Sequence, residues 1–334
     1  MEVAESGIVN ASMPAQPAVS SAPSVSVDRL VKRFGKFVAV DEVSFETAPG
    51  EIFGFLGPNG SGKSTTIRML CGLLRPSSGR ATVAGIDVAA EPEAVRRHIG
   101  YMSQKFSLYQ DLTVRENLRF FGGMYGVPAR ELAARIKWAV TMAGLDGRES
   151  TPACDLAGGW KQRLALGCAV LHRPPIVFLD EPTSGVDPMS RRHFWNIIHQ
   201  MSDDGTTVFV TTHYMEEAEY CNRLALVARG RIVALGRPSE LKHRFASGAL
   251  LRVECAPLSE AAEAARSAPG VIESAIFGGG LHLTAVKDLS IEGLAQYLAA
   301  RGIRVLAIER IGPTLEDVFV SLTRDRPNTA AQGH

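Results

Sequence analysis

One glycine-rich loop constrains the fold of this chain more than any other segment. The loop consists of Gly57, Pro58, Asn59, Gly60, Ser61, Gly62, Lys63, Ser64 and Thr65. An apolar run at residues 52–56 precedes it and a helix-like run at residues 66–74 follows, which predicts a strand, a loop and a helix in that order. Glycines let successive backbone N–H groups face a phosphate, and the helix N-terminus adds partial positive charge. We therefore predict a nucleotide-phosphate site in which Lys63 bridges the β- and γ-phosphates and the Ser64 hydroxyl binds Mg²⁺.

Two adjacent carboxylates provide a second chemical signal. Residues 176–179 are continuously apolar, as in a strand buried on both faces, and this run ends in Asp180 and Glu181. In a metal–phosphate site, Asp180 can hold Mg²⁺ through water, while Glu181 can orient or deprotonate the attacking water. General-base catalysis of this kind contributes about 10² to 10⁴ in rate. A solvated acidic turn is the alternative, and the nearby phosphate loop disfavours it.

A histidine and a glutamine complete the predicted catalytic group. The apolar strand at residues 207–210 leads into His213, and open α/β sheets bind ligands at the carboxyl ends of their strands. We predict that His213 donates to the γ-phosphate and holds Glu181 and the attacking water in register. Gln104 offers a neutral amide that can touch both Mg²⁺ and this water. On its own, a histidine of this kind is more often structural, so the assignment depends on the other motifs.

The order of strand and helix patterns predicts two folded domains. From residue 25 to about residue 241, short β-branched or aromatic runs alternate with helical patterns, which predicts an α/β domain with a mixed, largely parallel sheet. Residues 24–33 and 37–47 are expected to form an antiparallel hairpin at the edge of this sheet. A helical insert is expected at about residues 105–163. Residues 245–323 read strand, helix, strand, strand, helix, strand, which predicts a small α+β ferredoxin-like domain. An apolar, helix-spaced segment ends this domain, with Leu315, Val318, Phe319 and Leu322.

Composition argues against several classes of protein. Residues 1–24 are mainly Ala, Ser, Pro and Val, so a disordered tail without a secretory signal is expected there, and residues 324–334 are expected to form a polar tail. Lys plus Arg number 36 against 35 for Asp plus Glu, which argues against a protein that coats a polyanion. The five cysteines lack metal-ligand spacing and fit a reducing compartment. No stretch approaches the roughly 18 apolar residues of a membrane-spanning helix.

A further motif, Leu156-Ala157-Gly158-Gly159-Trp160, stands shortly before the two carboxylates. With the segments above, it gives the chain six motifs that resemble those of an ATP-binding-cassette (ABC) ATPase, in the same order. These are the Walker A loop (residues 57–65), the glutamine loop (Gln104), the signature (156–160), Walker B (176–181), the D-loop (184–187) and the switch histidine (His213). The resemblance covers residues 25–241. It implies a P-loop NTPase fold, and ATP and Mg²⁺ as ligands of a hydrolytic site.

The resemblance also implies a second cassette. In this family two cassettes pair head to tail, and the signature of each covers the ATP held by the other. Gly158 and Gly159 begin a predicted helix and can therefore aim N–H groups at the phosphate of a second copy of this chain. The D-loop residue Asp187 is assigned to the same nucleotide site by resemblance. Phe34 lies where the family usually places an aromatic residue that stacks on adenine, and a buried core phenylalanine is the alternative.

A membrane partner is the third implication of the resemblance. Residues 181–188 and 314–319 are similar to the drug-exporter branch, which includes daunorubicin and multidrug export ATPases. The chain is thus expected to be peripheral to the cytoplasmic face of the membrane and to drive a separate multi-span permease that exports drugs or other small hydrophobic compounds. Residues 105–121, with Phe106, Leu108, Tyr109 and Leu112, are expected to receive a coupling helix of the permease. The alternative is that these side chains form the core of the helical insert.

A soluble ABC ATPase and a regulatory nucleotide-binding protein are the two alternatives to a transporter subunit. Soluble ABC ATPases that act on ribosomes normally carry two cassettes on one chain, and those that act on DNA insert a long coiled coil. This chain has one set of motifs and a short insert, so no nucleic-acid partner is expected. A regulatory nucleotide-binding protein is the other alternative, and the presence of both Glu181 and His213 disfavours it.

The signature departs from the family pattern in a way that yields a prediction. Ala157 replaces the usual serine and Trp160 the usual glutamine. A hydroxyl bonded to a charged phosphate is worth about 1.5 to 3 kcal/mol, so we expect a weakened but working ATPase. The substitution Ala157→Ser should therefore improve turnover or nucleotide affinity by roughly tenfold or more, measured by steady-state ATPase kinetics. Unchanged kinetics would contradict this interpretation of the signature.

Overall fold

The structure is a computed structural model that describes residues 22–104, 108–245, 249–312 and 314–324. Most of the two predicted tails, and Phe106, lie outside the described residues. The chain divides into two compact units between Leu235 and Gly236. The sequence pattern placed the corresponding change at about residue 241, where the composition shifts, so helix α7 (Pro238–Phe245) belongs to the second unit from its start.

The first unit contains ten strands and six α-helices in its described part. The strands are β1 (Val25–Phe34), β2 (Phe37–Thr47), β3 (Ile52–Leu56), β4 (Ser78–Val83), β5 (Ile86–Asp87), β6 (Ile99–Met102), β7 (Ile176–Asp180), β8 (Thr207–Thr212), β9 (Arg223–Ala228) and β10 (Arg231–Gly236). The helices are α1 (Lys63–Leu70), α2 (Pro92–His98), α3 (Val114–Met124), α4 (Ala129–Met142), α5 (Gly158–Val170) and α6 (Pro188–Asp203).

The core sheet has six strands in the order β10-β9-β3-β8-β7-β6. Strands β9, β3, β8, β7 and β6 are parallel to one another. Strands β3, β7 and β8 are buried along their whole length, because helices and a second sheet cover the two faces of the core sheet. The predicted mixed, largely parallel α/β sheet is confirmed.

The predicted hairpin exists, but it does not extend the edge of the core sheet. Strands β1 and β2 pair with antiparallel register and join a separate four-stranded sheet in the order β2-β1-β4-β5. The correction has a physical cause in Phe45, which is on the inward face of β2. Its ring stacks on Phe53 of β3 at 5.1 Å between centroids, so the hairpin packs face to face on the core sheet.

The helical insert is built from α3, α4 and α5, which pack on one another. Thr113 begins α3 with a capping box, in which its hydroxyl accepts from the Glu116 N–H and the Glu116 carboxylate accepts from the Thr113 N–H. Leu108 is buried in the apolar core of this region, whereas Tyr109 is half exposed. For Leu108, the alternative that it serves the core of the insert is correct.

The second unit has the predicted ferredoxin-like arrangement. Its further elements are β11 (Ala249–Ala256), α8 (Leu258–Arg266), β12 (Val271–Phe277), β13 (Gly280–Ala285), α9 (Ile291–Ala299), β14 (Arg304–Ile311) and α10 (Leu315–Arg324). The antiparallel sheet runs β12-β13-β11-β14, with α8 and α9 packed on it. Leu315 and Val318 are buried on the apolar face of α10, which packs against α7. In the part of the chain that the structure describes, no helix is long and apolar enough to span a membrane.

Candidate functional site

Four segments at one edge of the core sheet define the candidate site. The phosphate loop leaves β3, Gln104 lies two residues beyond β6, Asp180 and Glu181 end β7, and His213 directly follows β8. These strands are parallel, so their carboxyl ends meet at the same edge. The sheet topology therefore brings together side chains that are far apart in the sequence.

The backbone of the phosphate loop is fixed by close approach to neighbouring strands. Gly62 has φ +103°, and a Cβ atom placed on it would lie 2.5 Å from the carbonyl oxygen of Ala39. At Gly57 a Cβ would lie 2.2 Å from the carbonyl oxygen of Val227, so neither position has room for a side chain. The Ser61 carbonyl accepts from the N–H of Gly230, in the turn between β9 and β10. These contacts restrict the backbone of the loop, as an anion site requires.

Lys63 lies at the centre of the site and is almost completely buried. Its ammonium donates to the carbonyl oxygens of Gly57 at 2.7 Å and Pro58 at 3.1 Å. It also forms an ion pair with Glu181 Oε1 at 3.1 Å. A buried charge is stable only when it is paired and hydrogen-bonded, and Lys63 and Glu181 satisfy this condition for each other.

Glu181 is held from both its backbone and its carboxylate. Its φ of +49° is uncommon for a residue other than glycine. The backbone N–H donates to the hydroxyl of Thr211 at 3.0 Å and lies 3.1 Å from the Thr211 carbonyl oxygen, which maintains this conformation. Oε2 accepts from Gln104 Nε2 at 3.1 Å and lies 3.2 Å from His213 Nδ1. Together with Lys63 on Oε1, these contacts fix the position of both carboxylate oxygens.

Asp180 lies beside this group and contacts two hydroxyls. Oδ1 accepts from Ser64 Oγ at 3.0 Å and from Thr211 Oγ1 at 2.8 Å. Burial raises the pKa of Asp180 above its ordinary value, and the negative charge of Glu181 acts in the same direction, while the two hydrogen bonds oppose them. A carboxylate that is costly to ionise in this position is stabilised in its charged form by a nearby cation.

The donor set of Ser64 and Asp180 fits Mg²⁺. This ion takes oxygen ligands and is usually held by one or two protein groups together with phosphates and water, without an all-protein cage. A hydroxyl and a carboxylate in contact at the start of α1 provide such a pair. Within the described residues, no group of three or more His, Cys, Asp or Glu side chains could hold a metal by itself.

Other residues assigned to the site lie outside this cluster. Gly158 and Gly159 are the first residues of α5, whose N-cap Ala157 makes no side-chain cap hydrogen bond. Asp187 caps the N-terminus of α6, where it accepts from the N–H groups of Met189 and Ser190. The bond from Ser190 is the main cause of the lowered pKa of Asp187. Phe34 is 49% exposed at the end of β1, so the alternative that it is a buried core residue is wrong.

Thr211 is a component of the site that sequence reasoning did not assign. It contacts both carboxylates, through its hydroxyl to Asp180 and through its hydroxyl and carbonyl to the backbone of Glu181. Its place in a Thr-Thr-His run at the end of an apolar strand was the available signal. A second missed group lies nearby, where the Thr183 hydroxyl donates to Glu217 at 2.5 Å and Arg191 pairs with Glu217 at 3.4 Å.

A separate groove of about 800 Å³ lies between the helical insert and the core of the first unit. Its apolar wall includes several exposed side chains, namely Leu73, Tyr109, Phe120 and Met124. Tyr109 and Phe120 contact edge to face, with their centroids 4.5 Å apart. Glu93, Arg96 and Arg97 also line the groove. The groove thus combines exposed apolar side chains with charged ones, as protein-binding surfaces do.

The strand–loop–helix phosphate cradle and the carboxylates at the end of β7 define a P-loop nucleotide-binding domain. Residues 40–184 match the family described as ABC transporter, and residues 236–323 match the C-terminal domain of the DrrA1-3-like ATP-binding proteins. The linearmycin resistance ATP-binding protein LnrL of Bacillus subtilis is 34% identical over 90% of this chain and 98% of its own length. The chain therefore belongs to the ABC transporter ATP-binding proteins.

Another relative is more similar but longer. The probable multidrug ABC transporter ATP-binding protein YbhF of Escherichia coli is 52% identical over 67% of this chain. The matched region is 39% of the length of YbhF. The predicted family membership and the similarity to multidrug exporter ATPases are confirmed by these relatives.

Solved structures give the same assignment. The ATP-binding subunit of an ABC transporter has a TM-score of 0.61 and 30% identity, and the match covers 66% of this chain and 92% of that one. A dimeric post-hydrolysis state of the ATP-binding cassette MJ0796, bound to ADP and Pi, has a TM-score of 0.59 and 27% identity over 64% of this chain and 98% of that one. The predicted P-loop ABC fold is confirmed.

The environment of Asp180 yields a prediction about stability. In Asp180→Asn the amide oxygen can still accept from Ser64 and Thr211, but no charge is buried. The melting temperature at pH 8 should therefore rise, by about 2–4 °C for each kcal/mol gained in the free energy of unfolding. The raised pKa means that the cost of ionising Asp180 is fully present above that pKa. The gain should therefore disappear as the pH falls and the wild-type carboxylate takes up a proton.

Calorimetry at several pH values, with the exposed Asp203→Asn as control, tests this expectation. A lower melting temperature for Asp180→Asn at pH 8, or a difference that does not change with pH, would show that the charge of Asp180 is not the destabilising element.

Proposed function

We propose that this chain binds ATP with Mg²⁺ and hydrolyses it between two copies, and that the resulting cycle of closing and opening drives a separate membrane permease. One observation carries the proposal. The Glu181 carboxylate is held by Lys63, Gln104 and His213 at the mouth of a formed phosphate loop. This arrangement serves catalysis, because a solvated acidic turn would need neither a strained backbone nor three ligands for one carboxylate.

Lys63 links nucleotide binding to the availability of the Glu181 carboxylate as a general base. A β- or γ-phosphate on the loop competes with Glu181 for the Lys63 ammonium, since both are anions within its reach. When phosphate takes Lys63, Glu181 keeps Gln104 and His213 on Oε2 and gains a free Oε1. That oxygen then orients or deprotonates the attacking water, with His213 fixing the carboxylate and donating to the γ-phosphate.

Ser64, Gln104 and Asp180 would hold Mg²⁺, and Gln104 would also contact the attacking water. When bound, the ion neutralises charge on the phosphate oxygens. The chain's own contribution is to keep the Ser64 hydroxyl and the Asp180 carboxylate in contact at the start of α1. Thr211 keeps Asp180 oriented toward this point.

The second ATP contact comes from another copy of the chain. Ala157 and Gly158 are exposed, so the N-terminus of α5 is open to a partner. Its N–H groups and helix dipole suit an anion, and no hydrogen bond within the described residues links Gly158 or Gly159 to the phosphate loop of the same chain. Asp187 at the start of α6 is assigned to the same interface. The similar cassette MJ0796 is a dimer in its ADP- and Pi-bound structure, which supports the pairing.

Phe34 is proposed to stack on the adenine base. Its ring is half exposed, and the Lys32 ammonium lies 5.2 Å from its centroid. The hairpin that carries it also contributes Ala39, whose carbonyl lies against Gly62 of the phosphate loop. Stacking of this kind is worth about 0.5 to 1.5 kcal/mol and reads no base edge, so ATP and GTP should be distinguished only modestly.

The groove beside the helical insert is the proposed docking site for the permease. Tyr109 and Phe120 supply aromatic contacts, and the groove borders β6, which leads directly to Gln104. A permease segment seated there would be mechanically connected to the catalytic group. Docking would place the chain at the cytoplasmic face of the membrane. Export of drugs or similar small compounds is proposed because YbhF is described as a probable multidrug ABC transporter ATP-binding protein and LnrL as a linearmycin resistance protein.

Removal of the general base tests the hydrolytic mechanism. The variant Glu181→Gln should bind ATP but cleave it at least about 10²-fold more slowly, because the amide cannot take a proton. With Mg²⁺ and ATP it should elute as a dimer in size-exclusion chromatography, and ADP should leave it monomeric. The exposed Glu219→Gln is the control and should retain wild-type turnover. A Glu181→Gln monomer that hydrolyses ATP at the wild-type rate would overturn the proposal.

Substitution in the groove tests the membrane partner. A charge at Phe120, which is 43% exposed, should remove the apolar contact, so Phe120→Asp should move from membrane pellets to the supernatant and still dimerise with ATP. Tyr220→Asp is a matched control, because Tyr220 is 40% exposed and lies outside the groove. If wild-type protein sediments with ribosomes and is absent from membranes, the soluble alternative is correct.

A further inference from the structure

Ala157 and Trp160, the two unusual residues of the signature, have different surroundings. Ala157 offers no side-chain acceptor or donor at the start of α5. Trp160, in the first turn of the same helix, has two guanidinium groups over its ring. The Cζ atom of Arg163 is 4.1 Å from the ring centroid and that of Arg148 is 4.5 Å away. One aromatic side chain therefore gathers two positive charges beside the signature glycines.

Within the described residues, no salt bridge joins Arg148 or Arg163 to a carboxylate. Each guanidinium instead faces the Trp160 ring, and Arg163 also donates to the Gly159 carbonyl oxygen. Burial and then the charge of Arg148 lower the pKa of the Arg163 guanidinium, with Asp187 acting in the opposite direction. Asp187 offsets this charge without forming a salt bridge to either arginine, so the two like charges leave a local positive potential that an anion would relieve.

The stack is also attached to the signature backbone. Arg163 Nε lies 3.4 Å from the carbonyl oxygen of Gly159 and directs a hydrogen bond to it. On its other side Arg163 fits against Gly144, where an added Cβ would lie 3.0 Å from its Nη1. Arg163 is thus confined between the signature turn and the loop after α4, and the ring of Trp160 covers it.

We propose that Trp160 is a positioning residue for the composite ATP site. It holds Arg148 and Arg163 where their charge attracts the phosphates of an ATP bound by a second copy. This attraction replaces part of what the hydroxyl missing at Ala157 would provide. The proposal rests on the proposed function, since it requires ATP to bind between two copies.

A charge effect and a hydroxyl contact respond differently to salt. The attraction between separated charges is screened when the ionic strength rises from about 0.05 to 0.5 M, whereas a direct hydrogen bond is much less affected. ATP-driven dimerisation by this chain should therefore weaken strongly with added KCl. Loss of the stack should remove most of that dependence.

The test measures the Mg-ATP concentration that gives half-maximal dimer in the full-length Glu181→Gln protein. Trp160→Leu should raise that concentration by roughly threefold to thirtyfold and flatten its dependence on KCl, because the guanidinium groups lose the ring that holds them. Trp160→Phe, which keeps an aromatic face, should stay within about threefold of the parent. Adding Ala157→Ser to Trp160→Leu should restore most of the affinity, and the gain should exceed that of Ala157→Ser alone.

The chain offers a matched control in Trp138 of α4. This tryptophan is also half-buried against the same core and has Arg173 over its ring at 5.7 Å. Trp138→Leu should change neither the ATP requirement nor its salt dependence. Arg148 is exposed, so Arg148→Gln should fold normally and show a smaller shift of the same sign, which gives a result even if Trp160→Leu is unstable.

The outcomes separate the two proposals. If the Glu181→Gln parent forms no ATP-dependent dimer, the proposed function fails. If the parent dimerises but Trp160→Leu and Arg148→Gln behave like Trp138→Leu, only the role of Trp160 is overturned. A Trp160→Leu protein that Ala157→Ser cannot improve would show that the ring acts through folding of α5 and not through charge.

Discussion

The buried ion pair between Lys63 and Glu181 is the interaction on which the site depends. Two carboxylates end the fully buried strand β7, and their charge must be compensated in that position. Lys63 neutralises Glu181, while Asp180 is hydrogen-bonded to two hydroxyls. A cation bound beside Asp180 would relieve the remaining cost of its charge. The same electrostatics that make this sheet edge costly to fold would therefore favour the Mg²⁺ and nucleotide proposed for the site.

The N-termini of helices α1 and α5 have different surroundings. The N-terminus of α1 is enclosed by the phosphate loop and by contacts from β2 and the β9–β10 turn. That of α5 is exposed and lies next to the two arginines gathered on the Trp160 ring. A helix N-terminus that faces solvent with added positive charge suits an anion delivered from outside the chain. This asymmetry within one chain is the physical basis for inferring a head-to-tail pair.

Local sequence patterns predicted the elements of this fold well where the physical cause was local. The strand–loop–helix order around Gly57 to Thr65, the buried strand before Asp180 and the six elements of the second unit all follow from periodicity and turn chemistry. The prediction that the β1–β2 hairpin lies at the edge of the core sheet was wrong. The stacking of Phe45 on Phe53 is a contact between two sheets, and local sequence patterns do not predict it. Exposure of Phe34 and burial of Leu108 were likewise open until their neighbours in space were known.

The sequence alone determined which chemical groups the protein has: a lysine after a glycine loop, two carboxylates after a buried strand, and a glutamine and a histidine after two others. Only the tertiary structure decided that Gln104, Lys63 and His213 hold the same carboxylate, that Thr211 supports it, and that Trp160 gathers two arginines. The reason is physical. Chain spacing fixes contacts within an element, whereas contacts between strand ends depend on the order of strands in the sheet, which is set by packing of the whole domain.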